Sequence, residues 1–531
     1  MTIRTILTGT IIAGGLAAIV AGGPGAAAEE PVRGGTLNAG ISALAGLNPA
    51  VRSGIIVQLP GAQLFAGLVD IGPDFEPLPY LAQSWEISDD SLVHTFRLVE
   101  DAVFHDGTPI TAADAAFSLE VVRDNHPFGR IMHGGIESIE VLDAHTLAIR
   151  HSVPTPYFLQ TLAAHLMPVL PQHIYDDGTD ILVHPRNQTD VVGSGPFVQG
   201  EYRPGEYLVL ERFDQFFRDG RPYLDQIVMR SISDPATRLL SFERGDVDIF
   251  PHSGFHERDV LRLQNVSGIQ IVEEGYAAVG HVTYLDLNLR RQPFDDVRVR
   301  RALSHLIDRE RLSRTQFLGI QVPAYSILHP ENPYFSPETP RFDDGLEAAE
   351  ALLDEAGVVR GSDGVRFSMT IDVLPGPQYP MLMSEYIRGQ FRRAGIEVTL
   401  RNYPDFGSWA GALASWEYDG AANTIWNYPH PAIGVHRLFA CDNIRNIVWT
   451  NTQGYCSEEV DALMSEAAQE TDAAERIRLY AELQQILAED MALMPLIAMN
   501  GSTAQHDRVL NAPLGAWGAL APWDAMQISA D

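Results

Sequence analysis

Between residues 91 and 124 the hydrophobic spacing changes from period two to a helical period, and the same change recurs along the chain. In SLVHTFRLVEDAVFHDGTPI, 91–110, Leu92, Phe96 and Leu98 share one face of a strand. Asp106-Gly107 supplies a turn. Thr111 and Asp114 then open a helix over TAADAAFSLEVVRD in the manner of a capping box. A chain that alternates in this way is neither a coiled coil nor an all-β protein; it reads as mixed α/β.

The alternation continues to the end. At DDVRVRRALSHLIDRERL, 295–312, two aspartates stand where a helix dipole favours negative charge. Val299, Ala302, Leu303, Leu306 and Ile307 follow as one apolar stripe. RFSMTIDVLPG, 366–376, alternates Phe367, Met369, Ile371 and Val373 as a strand. A helix is expected through Tyr386–Ala394, then a strand at GIEVTL, 395–400, with Ile396, Val398 and Leu400 on one face. AAERIRLYAELQQILAED is a helix expected to turn Ile477, Tyr480, Leu483 and Leu487 inward. Heptads and short repeats are absent. About 500 residues exceed what one core supports, so two or more lobes are expected. No long Ser/Gly/Pro linker separates them, so the lobes should be closely connected.

The first 28 residues read as a cleaved export signal. Arg4 provides a positive start, Ile6 to Val20 an apolar run, and Ala26-Ala27-Ala28 a small-residue cleavage site. A retained anchor is the alternative, but Gly14, Gly15, Gly22 and Gly23 interrupt the run, which is short for a membrane span. No Cys adjoins the cleavage site, so a lipid anchor is not expected. The mature chain should be periplasmic or extracellular. Its net charge of −32 argues against nucleic acid and anionic membrane surfaces as partners. The two cysteines, Cys441 and Cys456, suggest one disulfide in an exported protein, with two free thiols as the alternative. A zinc site is not indicated, because no second ligand pair accompanies them.

Sequence signatures of catalysis are missing. There is no GxGxxG opening a helix, no P-loop and no HExxH. Ser194 lies in VGSGPF, where Val192 replaces the first glycine of a nucleophile elbow. His105 beside Asp106 reads as a turn satisfying its own polar groups. His430 and His436 are six apart across Pro431, a poor spacing for two metal ligands on one helix face. Asp89-Asp90 and Asp343-Asp344 read as solvated turn or helix-start acids.

Several stretches in order resemble the family 5 extracytoplasmic solute-binding proteins, the peptide/nickel-type receptors of ABC importers. They are RGGTLNAGISALAGLNPA (33–50), LPYLAQSWEISDDSLVHTFRLVEDAVFHDGTPITAADAAFSLE (78–120) and GSGPFVQGEYRPGEYLVLERFDQFF (193–217). GRPYLDQIVMRSISDPATRLLSFERGDVDI (220–249) and LDLNLRRQPFDDVRVRRALSHLIDRERL (285–312) follow. The resemblance implies two α/β lobes joined by a hinge, with an extra subdomain in the first lobe, a cluster C-like arrangement. Lobe I would take 29–285 plus 504–531, with the subdomain near 75–190, and lobe II 286–503. Hinge strands would pass near Tyr284–Asn288 and Met499–Thr503. The function implied is capture of a peptide-like or other polar solute and delivery to an inner-membrane ABC permease, without cofactor or catalysis. A monomer is expected. The alternatives are a receptor for an oligosaccharide, opine or metal chelate, an enzyme on a similar scaffold, and an exported chaperone-like binder.

The resemblance also locates the ligand. In peptide-binding members the segment matching TIWNYPHPAIG, 424–434, carries an Asp soon after a Trp, and that carboxylate pairs with the ligand's amine. Here Trp426 is followed by Asn427, Tyr428, Pro429 and His430, and no acid remains. Dipeptide-binding members place an Arg near the segment matching VLPGPQYP, 373–380; this chain offers Gln378 and Tyr379 instead. A charge buried without its partner is costly, so a free dipeptide zwitterion is disfavoured. The expected ligand contacts are Trp426, Tyr428, Tyr379 and Trp409 by stacking, and Asn427, Gln378 and His430 by neutral hydrogen bonds. Asn38, Leu44 and Asn48 are expected to face the ligand from the first lobe. For each aromatic, core packing is the competing explanation.

Overall fold

The computed structural model describes residues 30–252 and 254–529, so the expected leader lies outside the described residues. Among these residues the strands gather into sheets of seven, six and four strands, with two short two-stranded ribbons. The seven-stranded sheet runs in the order Ile269–Val272, Thr503–His506, Ile249–Phe250, Thr36–Ile41, Gln226–Ser231, Tyr207–Arg212, Phe197–Arg203. Its middle strands are parallel: Thr36–Ile41 pairs with both Gln226–Ser231 and Ile249–Phe250.

The six-stranded sheet runs Val322–Pro323, Met494–Met499, His281–Leu287, Gly420–Trp426, Phe367–Val373, Ile396–Asn402. Its central strand HVTYLDL is buried at every residue. Val282 and Tyr284 enter one apolar cluster with Leu483, while Leu285 and Leu287 enter another with Leu303 and Ile387. A strand covered on both faces loses its polar alternation, which is why period-two reasoning passes over it.

The four-stranded sheet, in the order Ala82–Ile87, Val93–Leu98, Thr146–His151, Ile136–Asp143, falls inside the stretch expected to form an extra subdomain. The helix Ala112–Asn125 lies in the chain between Val93–Leu98 and Ile136–Asp143, with the Asp114 carboxylate accepting from the Thr111 backbone N–H at 2.9 Å.

The chain passes from the seven-stranded to the six-stranded sheet between Val272 and His281 and returns between Met499 and Thr503. The first passage precedes the expected boundary at 285, because all of His281–Leu287 pairs with Gly420–Trp426. The two passages touch. The Tyr276 and Thr503 hydroxyls are 2.6 Å apart, and a Cβ at Gly501 would come within 2.7 Å of Tyr276 Cγ.

Other expectations change in detail. The 295–312 pattern divides into helices Val297–His305 and Arg309–Gln316, because the Asp308 carboxylate caps the second by accepting from the Arg311 N–H. The helix expected from Tyr386 begins at Tyr379; Pro380 is tolerated in a first turn, where no intrahelical N–H bond is lost. Ile477 is 45% exposed rather than inward, while Tyr480, Leu483 and Leu487 are buried. Cys441 and Cys456 form a disulfide.

Candidate functional site between the two sheets

A cavity of about 620 Å³ lies between the seven- and six-stranded sheets. That volume is within the range of small-molecule sites. A second cavity, beside buried Arg309, has about 20 Å³, room for one water.

The large cavity follows the rule that ligands of α/β sheets sit beyond the carboxyl ends of strands. Parallel strands Thr36–Ile41, Gln226–Ser231 and Ile249–Phe250 end in Ser42, Ser233 and His252, which line one wall. Helix Glu257–Leu263 adds Glu257 to the same side. The opposite wall comes from the six-stranded sheet. Register pairs His281 with Trp426 on one neighbour and with Met499 on the other, so the three side chains lie abreast and all line the cavity. Gln378 and Tyr379 close this wall from the start of their helix, with the Tyr379 ring edge-on to His281 at 5.3 Å.

Burial keeps the His281 and His252 imidazoles neutral. Burial pushes His281 down to about 3, and the neighbouring His252 and His329 imidazoles act in the same direction. Burial also pushes His252 down to about 4. Arg238 lines the first-lobe wall, with Nε, Nη1 and Nη2 donating to the carbonyls of Ile232, Gly254 and Ser233.

Of the expected contacts, the cavity therefore brings together Trp426, Gln378 and Tyr379. The other seven do not line it, and each has a packing role instead. Asn427 is fully buried; its Nδ2 donates to the Ile327 carbonyl at 2.9 Å and its Oδ1 accepts from the His329 N–H at 2.6 Å. Tyr428 enters the apolar core that also holds Leu37 and Phe96, 2.9 Å from Ser53 Oγ through its hydroxyl and edge-on to Phe128. His430 caps the short helix Pro431–Gly434 and stacks on Tyr157 at 4.9 Å. Trp409 is buried with Leu374, Leu413 and Tyr418. Asn48 bonds Asn187 at 2.8 Å, Asn38 directs its backbone N–H and its amide at Asp248, and Leu44 lies in the first-lobe core.

Sequence reasoning missed His252, Phe255, His256 and Glu257 after the strand Ile249–Phe250, and also Glu273 and, on the opposite wall, His281. The available signal was the aromatic and histidine cluster FPHSGFH, 250–256, following a strand and close in composition to 424–434. The residues resembling fragments of catalytic sites are structural. Ser194 Oγ donates to the Val169 carbonyl and accepts from the Ala66 N–H. His105 bonds the backbone of Gly193 and Gly195, and Asp106 pairs with His173 rather than with it. Among the described residues there is no group of three or more His, Cys, Asp or Glu able to hold a metal ion.

A family model described as bacterial extracellular solute-binding proteins, family 5 Middle, matches residues 76–446. The glutathione-binding protein GsiB of Escherichia coli O1:K1 is 26% identical over 461 residues, covering 85% of this chain and 86% of that one. The DppA periplasmic binding protein of Helicobacter pylori, solved with the peptide STSA, superposes with a TM-score of 0.81 at 22% identity, covering 94% of this chain and 98% of that one. NikZ of Campylobacter jejuni, solved with Ni(L-His), superposes with a TM-score of 0.80 at 21% identity, covering 92% and 97%.

Proposed function

The chain belongs to the bacterial extracellular solute-binding proteins of family 5, and from that membership we propose that it captures a peptide-like solute in the 620 Å³ cavity and presents it to an inner-membrane ABC permease. The carrying observation is that walls from both sheets enclose one cavity, with the two chain passages beside it serving as hinge. Closure about such passages is a recognised switching mode. The family binds solutes and does no chemistry on them.

We assign the seven-stranded sheet, the four-stranded subdomain and the C-terminal tail to lobe I, and the six-stranded sheet to lobe II. Trp426, Tyr379 and Gln378 are the second-lobe contacts. The peptide-like class is supported by the glutathione of the E. coli relative's name and by the peptide held in the H. pylori structure. A non-peptide solute, such as an oligosaccharide, opine or metal chelate, is the second reading. It is favoured by a second-lobe wall without a charged side chain at 373–380 or 424–434. The protein acts as a periplasmic monomer.

A thermal-shift panel of glutathione, short peptides, oligosaccharides, opines and nickel–histidine tests the function. A solute at 100 times its Kd stabilises the fold by about 2.7 kcal/mol. A panel in which nothing raises the Tm overturns the receptor assignment. Export is tested separately: alkylation without reduction should label no thiol in protein purified from the periplasm.

A further inference from the structure

We infer that the small cavity beside Arg309 is a binding site for a monatomic anion of the size of chloride. It is separate from the solute cavity, with which it shares no lining residue.

Arg309 is the first residue of helix Arg309–Gln316 and is 2% exposed. A buried charge is ordinarily paired with an opposite one. Among the described residues Arg309 enters no ion pair, and its bonds go to neutral oxygens. Nε donates to the Pro495 carbonyl at 2.8 Å, Nη1 to the Ile307 carbonyl at 3.3 Å and Nη2 to Ser304 Oγ at 3.0 Å. A guanidinium has five N–H groups, so one on Nη1 and one on Nη2 remain without an acceptor. Burial pushes the side chain down only to about 10, so it is charged at neutral pH. Ser304 lines the cavity with it, and its hydroxyl, having accepted from Arg309, finds no acceptor of its own among the described residues. Gln484 Oε1, a further lining oxygen, already accepts from Ser326 Oγ at 2.8 Å and the Ser336 N–H at 3.1 Å. The lining is thus rich in donors and carries a charge without a counterion.

A second observation is independent of these bonds. The ring of Tyr325, also in the lining, is approached by two guanidinium groups, Arg309 at 5.1 Å and Arg341 at 4.4 Å. Arg341 too is in no ion pair among the described residues. The nearby acids are engaged elsewhere. Asp343 bonds the Tyr325 hydroxyl, and Asp308 caps the helix through the Arg311 N–H. A negative charge in the cavity offsets both guanidinium groups. Size selects its chemistry: about 20 Å³ exceeds the roughly 10–15 Å³ that one water needs but admits no sulfate, phosphate or carboxylate. A water brings two protons with its lone pairs, whereas a halide brings acceptors only, and with them the charge that Arg309 lacks. Bound there, it ties helix Val297–His305 and helix Arg309–Gln316 to strand Met494–Met499.

Crystals of the purified mature protein soaked in sodium bromide test this through the anomalous scattering of bromide. A peak is expected in contact with the Arg309 guanidinium and Ser304 Oγ. In solution at constant ionic strength, exchanging sodium gluconate for sodium chloride should raise the Tm of the solute-free protein as a single site on the folded state requires. Ser304→Ala removes one donor and should move that dependence to about fivefold higher chloride. Arg309→Met should abolish it; if that variant does not fold, Ser304→Ala and the bromide peak decide. A cavity that scatters as water alone in bromide, or a chloride dependence identical in wild type and Ser304→Ala, overturns the site. A bromide peak without any chloride dependence of the Tm marks an adventitious ion only and overturns it as well. None of these outcomes alters the solute-receptor function.

Discussion

Trp426 and Tyr428 are two residues apart, both aromatic, in one loop, and they have opposite surroundings. Trp426 is the one residue of 421–435 that is not buried, and it lines the cavity. Tyr428 is buried in the core of the other lobe, at a backbone φ of 58°. An L-residue held in that left-handed region costs on the order of 1 kcal/mol, which the contacts with Phe128, Ser53 and Trp517 offset. The strand ends at Trp426, and the chain then turns away from the solute to seat itself on the first lobe. The absence of acids in 424–434 therefore has two causes. At Trp426 it leaves a neutral floor. At 428 and 430 a carboxylate would lie against Phe128, Trp517 and Tyr157. The nearby Arg437 already donates to the carbonyls of Gly434 and Trp449. An acid at either position would be buried among these rings without a charged partner.

Asn427, between the two, offers the largest test. Asn427→Ala removes both partners of the buried Ile327 carbonyl and His329 N–H. Stranding such groups should lower unfolding free energy by about 3 kcal/mol. Urea unfolding reads this, and solute affinity of the folded fraction should change little. A variant that loses affinity but no stability would place Asn427 at the solute after all.

Trp426→Ala should do the reverse. Removing the floor of the cavity should weaken binding of whichever solute the thermal-shift panel finds by about 2 kcal/mol, roughly thirtyfold, with the melting temperature of the free protein nearly unchanged. Calorimetry and a melt of the free protein check both halves. Full affinity in Trp426→Ala would remove the distinction between the two ends of the loop.

Much of the scaffold is legible from sequence because it is local. Period-two faces at Val93–Leu98 and Phe367–Val373, the Thr111–Asp114 cap and the stripe from Val299 each need only near neighbours. What sequence did not reveal depends on distant partners. Asn48 and Asn38 look like ligand donors until Asn187 and Asp248 are brought beside them from more than a hundred residues away. Trp409, Tyr428 and His430 have the composition of a pocket, but composition does not tell a stacked solute from a stacked Tyr157. The first-lobe wall escaped notice because the strand feeding it, Ile249–Phe250, is two residues long and shows no period.

The seat under Tyr428 also sets an acid limit. His126, whose Nδ1 accepts from the Phe128 N–H, and His133 are both pushed by burial down to about 3. Around His133 the electrostatic neighbours are His126, His151 and Arg123, all opposing protonation. Above an unfolded pKa near 6.5 both states are neutral there and pH has no effect through these groups. As pH falls below 6.5 the unfolded chain takes up protons that the folded one refuses, so stability should fall by about 1.4 kcal/mol per pH unit for each such histidine, down to about pH 3. Urea unfolding at pH 7 and pH 5 measures the slope, and His133→Leu should make it shallower. An unchanged slope would mean that His133 titrates alike in the folded and unfolded states.

Tyr428→Phe is the mildest and most selective way to separate the two ends. The ring keeps its contacts with Phe128 and Trp517, and only the hydroxyl that meets Ser53 Oγ across the lobes is lost. A hydrogen bond of this kind contributes about 1 kcal/mol. On the lobe assignment proposed above, the bond ties the second-lobe loop to the first lobe, and its loss should favour their separation. Solute affinity should weaken about fivefold although Tyr428 does not touch the cavity. Fluorescence transfer between labels on the two lobes should report more of the open form in the absence of solute. Ser53→Ala should reproduce both effects, and combining the two substitutions should add little, since they delete the same bond. If the double variant instead sums the single losses, the hydroxyls act separately and the loop does not seat the lobes through this pair.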